Sequence, residues 1–94
     1  MTKSEVENAI KVVMCDVIDE CYRVSNAFPS KDKDRVFQIA NEAELLMDEL
    51  MFEMNQVIQK GGYSSENPKI LEIKHRLNKK SLDYLNRLHN LIDH

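Results

Sequence analysis

Residues 36–57 read VFQIANEAELLMDELMFEMNQV, and the architecture of the chain follows from this segment. Small and apolar residues recur in it at alternating spacings of four and three, which is the heptad seam of a helix that packs along one side. The seam consists of Val36, Ala40, Ala43, Met47, Leu50, Met54 and Val57. Leu45 and Phe52, seven residues apart, project from nearly the opposite side of the same helix. Leu45 and Phe52 thus form a second apolar face, which predicts a second contact, with another helix or another chain.

Two further amphipathic segments flank this helix. The first seam consists of Val6, Ile10, Val13, Val17, Cys21, Val24 and Phe28, widened by Met14, Ile18 and Tyr22. The third consists of Ile70, Ile73, Leu77, Tyr84, Leu88 and Leu91, flanked by Leu71, Leu82, Leu85 and Ile92. Pro29 and the Gly61-Gly62 pair end the first two segments, and Asn67-Pro68 begins the third.

These signals predict an all-α fold, an antiparallel up-down-up three-helix bundle with helices at about 4–27, 31–60 and 68–93. The whole chain, 1–94, is expected to form one helical-bundle domain. A helical hairpin with an arm that swaps into a dimer is the alternative architecture.

Polar residues interrupt the apolar face of the third segment. Lys74, Asn78 and Ser81 fall within that face on a helical wheel. One interpretation is that this stretch borders solvent, with Lys74 reaching past the core. The other is a polar notch that sets the register against a partner.

The composition favours a small acidic protein of the cytoplasm. The chain has 94 residues and a net charge of −3, and it shows neither a signal-peptide pattern nor an apolar run of membrane-spanning length. Cys15 and Cys21 lie about 9 Å apart along one predicted helix, too far to form a disulfide. Cys21 is predicted to be a core residue and Cys15 to be exposed. The charge distribution argues against nucleic-acid binding, and no membrane partner is expected.

Candidate metal ligands are few. Glu72-x-x-His75 has the spacing that di-iron bundles use, but it occurs once, and Glu72 projects away from the seam of its helix. Glu42, Glu49 and Glu53 align as an acidic stripe, for which a solvated face is the ordinary interpretation. We therefore expect no metal, cofactor or catalytic residues.

Asp48-Glu49 within an amphipathic helix resembles the first acidic motif of the MazG-type all-α nucleotide pyrophosphohydrolases. The resemblance covers about ten residues, and it implies magnesium held between carboxylates of two helices. Phe52 stands where that family has a third acid, and no Glu-x-x-Asp follows in the third helix. The resemblance supplies the alternative function, a metal-dependent helical hydrolase assembled across a dimer.

The sequence favours a non-enzymatic protein–protein interaction module, either a self-associating helical adaptor or a small regulatory or inhibitory protein. The expected partner is a second copy, as in a homodimer, or another helical protein. The candidate partner-binding residues are Leu45 and Phe52, with Val12 and Tyr22 as outlying apolar positions. The competing interpretation is that the bundle itself covers Leu45 and Phe52.

Overall fold

The computed structural model describes residues 3–27, 33–61 and 67–92, and it is built from three helices. They are α1 (Lys3–Ala27), α2 (Lys33–Gly61) and α3 (Pro68–Ile92), and each packs against both of the others. The molecule measures 50 × 16 × 16 Å. The prediction of an all-α three-helix bundle is confirmed, and the helix bounds agree to within two residues wherever the structure describes them.

Contacts between named residues fix the helix directions. Arg76 pairs with Glu53 and Arg87 pairs with Glu42. Residue numbers therefore increase along α3 in the direction in which they decrease along α2, so these two helices are antiparallel. The cavities along α1 and α3 join Val6 to Ile73 and Glu20 to His89, so these two helices run in the same direction. The order is up-down-up, within a single chain.

The core forms a continuous cluster along the bundle axis, and each helix supplies apolar residues at helical spacing. The buried members from α1 are Val6, Ile10, Met14, Val17, Cys21 and Val24, and those from α3 are Ile70, Ile73, Leu77, Tyr84 and Leu88. Leu91 is half-buried, and Phe28 lies outside the described residues. The two predicted seams are therefore largely the two buried faces.

The buried face of α2 differs in part from its predicted seam. Val36, Ala40, Ala43, Leu50 and Met54 are buried as expected, but Met47 and Val57 are only half-buried. Ile39 and Leu46, which the heptad seam omits, are buried. The reason is that α2 packs against two neighbours at once, so its buried face is wider than a single heptad seam.

Asn67 caps α3 as the Asn-Pro signal predicts. Its side-chain Oδ1 accepts a hydrogen bond of 2.8 Å from the Lys69 amide, and its carbonyl accepts one of 3.1 Å from the Leu71 amide. The first bond satisfies a backbone donor that the first turn of a helix otherwise leaves unpaired, and the second is the first i→i−4 bond of the helix.

The two cysteines are placed as predicted, with Cys21 buried and Cys15 exposed. Burial raises the pKa of the Cys21 thiol to about 11, with a smaller contribution from Glu20. Among the three described helices, none is both long enough and apolar enough to cross a membrane.

Candidate protein-binding surface

Leu45 and Phe52 stand out from the bundle on the outer face of α2. Leu45 is 70% exposed and Phe52 is 63% exposed. The interpretation in which the bundle covers these two side chains is wrong for the isolated chain. At 100° per residue they lie opposite the buried face of α2, about 10 Å apart along the helix.

We define the outer strip of α2 as the exposed residues that share this face. Its members are Gln38, Asn41, Leu45, Asp48, Glu49, Phe52, Gln56 and Gln59, and all eight are exposed. Gln38, Leu45, Phe52 and Gln59 follow one another at intervals of seven residues. The strip therefore combines two large apolar side chains with amides and two carboxylates, and it contains no lysine or arginine.

The acidic stripe at the edge of α2 is not simply a solvated face. Arg76 of α3 lies 2.5 Å from a carboxylate oxygen of Glu53 and 3.1 Å from one of Glu49. Arg87 lies 2.7 Å from Glu42. Hydrogen bonding to Glu42 raises the pKa of the Arg87 guanidinium despite its partial burial. These carboxylates tie α2 to α3, a role that the helical wheel of α2 alone could not indicate.

Tyr22 and Val12, the two outlying predicted contact residues, are both exposed on α1. The Tyr22 ring lies 6.3 Å from the ring of Phe37, centroid to centroid, at an interplanar angle of 59°. Tyr22 is 51% exposed but is thus engaged across the α1–α2 contact, a tilted aromatic pair.

Three further apolar side chains are exposed that were not among the predicted contact residues. They are Phe37, Leu71 and Leu82. Leu71 and Leu82 flank the seam of α3, and on a helical wheel they lie on the side of Asn78 and His89. The helical wheel of α3 indicated that the two leucines lie beside the buried seam, but no sequence pattern indicated the pairing of Phe37 with Tyr22.

The polar notch of α3 faces α1. Lys74 and Asn78 line a cavity of about 200 Å³. Ser81, whose hydroxyl donates to the Asn78 carbonyl over 2.9 Å, lines a neighbouring cavity of about 400 Å³. Val13 borders both cavities, so the α1–α3 seam is the more open side of the bundle.

The chemistry of a metal site is not assembled in the described part of the chain. Across residues 3–27, 33–61 and 67–92, no three His, Cys, Asp or Glu side chains converge in a way that could hold an ion. Glu72 and His75 are both exposed. A cavity of about 210 Å³ between α2 and α3 is lined by charges of both signs, including Lys60, Lys69 and Arg76 beside Glu53.

Comparison with known proteins adds no further constraint. No protein-family model, no curated protein and no solved structure matches this chain.

Proposed function

We propose that this chain is a non-enzymatic protein-association module whose contact surface is the outer strip of α2. The observation that carries the proposal is the joint exposure of Leu45 and Phe52 on one face of one helix. Exposed apolar side chains that recur on one face are typical of an interaction site, whereas isolated ones are ordinary. Leu71 and Leu82 also share a side of α3, but they are eleven residues apart rather than seven, and both are less exposed than Leu45 and Phe52. The partner would present a helix with apolar side chains at matching spacing, from a second copy or from another protein.

The energetics suit a reversible contact. Burying a large apolar side chain contributes about 1.5–3 kcal/mol, so two anchors offset only part of the cost of association. The amides beside them form hydrogen bonds with water or with a partner equally well, which lets the free chain stay dissolved. An adaptor or a small regulatory protein uses contacts of this strength.

A cytoplasmic location belongs to the same proposal. Cys15 is exposed and free, and Cys21 is free in the core. Free thiols persist in a reducing compartment, whereas secreted domains of this size are usually stapled by disulfides.

No observation favours the metal-dependent hydrolase. The resemblance that suggests it rests on Asp48 and Glu49, and Glu49, like Glu42 and Glu53, pairs with an arginine of α3. Metal binding there would first have to break these ion pairs.

Site-specific photo-crosslinking tests the proposal. A photoreactive phenylalanine analogue at Phe52, introduced in the cells that produce the chain, is expected to give a discrete protein adduct. Leu82 provides the matched control, because its side chain is 62% exposed on another helix, close to the 63% of Phe52. The adduct should disappear when Leu45→Glu is added. No adduct from position 52, or the same adducts from both positions, would overturn the proposal.

A further inference from the structure

The residue types of the outer strip are arranged symmetrically about its centre. About the midpoint between Asp48 and Glu49, Leu45 is matched by Phe52, two apolar residues. Asn41 is matched by Gln56, and Gln38 by Gln59, so that amides match amides. Read from either end, the strip runs amide, amide, apolar, acid, acid, apolar, amide, amide.

Such a pattern is what an antiparallel contact between identical helices requires. In a two-fold dimer each residue meets the residue equidistant from the axis on the other chain. We infer that a second copy of this chain docks on the outer strip, with its α2 antiparallel and the two-fold axis between Asp48 and Glu49. The inference rests on the proposed function and names its partner.

The heptad spacing of the strip keeps it at the interface along its length. Gln38, Leu45, Phe52 and Gln59 repeat every seven residues, so they stay on the contact line of two helices that cross at about 20°. Leu45 then packs on the partner's Phe52 twice, once on each side of the axis. Four large apolar side chains leave water together.

The helix dipoles favour the antiparallel direction, because two antiparallel dipoles oppose one another whereas two parallel ones align. The charges at the ends of α2 are mixed. In the antiparallel dimer the partner's Lys60 meets both Asp34 and Arg35, so these charges do not by themselves select a direction.

The centre of the contact carries a cost. Asp48 and Glu49 flank the axis, so each approaches its counterpart on the other chain, and these like charges weaken the dimer. Association is therefore reversible. It also follows that a chain carrying Asp48→Lys prefers a wild-type partner to another copy of itself.

Sedimentation velocity on the purified chain tests the second copy as the partner. The wild type is expected to shift from monomer to dimer as its concentration rises, and Phe52→Glu to raise the dissociation constant more than about tenfold. Leu82→Glu, a matched exposed substitution on α3, should leave the dissociation constant unchanged, and circular dichroism should show both variants folded. A wild-type chain that stays monomeric, or equal effects of both substitutions, would overturn the inference.

Cysteine cross-linking tests the direction without touching Leu45 or Phe52. In a Cys15→Ser background, chains carrying Gln38→Cys and chains carrying Gln59→Cys are mixed and oxidised. A disulfide between the two kinds of chain is expected, and none between chains of one kind. Cross-linking of Gln38→Cys chains with one another would show a parallel dimer and contradict the inference.

Failure here differs from failure of the proposed function. A monomeric chain that still gives an adduct with another protein from position 52 removes the second copy as partner and leaves the outer strip as the contact surface. A dimer insensitive to Phe52→Glu, with no adduct from position 52, removes both.

Discussion

Leu50 and Leu45 are the same residue type in the same helix, with opposite surroundings. Leu50 has no exposed surface, whereas Leu45 is 70% exposed. Leu50→Ala should lower the free energy of unfolding by about 2–5 kcal/mol, because it removes buried methyl groups and leaves a cavity. Leu45→Ala should change it by less than about 0.5 kcal/mol. Urea denaturation at low protein concentration measures both, and similar losses would contradict the assigned burial.

Cys21 gives the chain an alkaline sensitivity. Burial disfavours the thiolate and raises its pKa in the folded chain from the ordinary value of 9.0 to about 11. The unfolded chain therefore loses this proton first, and it is stabilised relative to the folded chain as the pH rises from 9 towards 11. The free energy of unfolding should fall by up to about 3 kcal/mol over that window, and the full value is kept below pH 9.

The variant Cys21→Ala isolates this effect. It lacks the thiol, so the difference in unfolding free energy between wild type and variant should shrink across the same window. Urea denaturation at a series of alkaline pH values provides the measurement. Parallel pH profiles of the two proteins would show that Cys21 does not titrate as its burial implies.

At the scale of the helix, the start of α3 depends on one side chain. Asn67 accepts a hydrogen bond from the Lys69 amide, so Asn67→Ala should cost about 1 kcal/mol of unfolding free energy. Asn86 is exposed within the same helix, and Asn86→Ala should be neutral or slightly stabilising, because alanine has the higher helix propensity. Thermal unfolding of the two variants tests this contrast. An equal effect of both would mean that the cap contributes nothing.

The three helices also show which features apolar periodicity can predict and which it cannot. Apolar spacing indicated the buried faces of α1 and α3 and the outward position of Leu45, because these depend on one helix at a time. It omitted Ile39 and Leu46, since their burial depends on where the second neighbour of α2 lies. The ion pairs of Arg76 with Glu49 and Glu53 depend on the register between α2 and α3, which no single-helix pattern contains.

At the scale of the whole molecule, stability should depend on protein concentration. Any partner that binds only the folded chain raises the unfolding midpoint by mass action, and here that partner is a second copy. The thermal midpoint of the wild type should therefore rise over a hundredfold increase in concentration. That of Phe52→Glu should stay constant. A constant midpoint for both would contradict self-association over that range.

The overall architecture could be predicted from the sequence because the ends of the helices are clearly marked in it. Proline, paired glycines and an Asn-Pro start leave three amphipathic segments of similar length, and such segments have few ways to bury their apolar faces. The open α1–α3 seam was harder to predict from the sequence. Its cavities depend on how the side chains of α1 pack against those of α3, which is distant in sequence. Val13, for example, lines one cavity together with Leu77 and the other together with Leu85.

The pairing of Tyr22 with Phe37 bears on the order in which the chain folds. The two rings are fifteen residues apart in sequence, so the loop that their contact closes is short and its entropic cost is small. The parallel α1–α3 seam joins residues more than sixty positions apart and carries a cavity of about 400 Å³. Folding should therefore begin with the α1–α2 hairpin, and the closure of α3 onto α1 should come last.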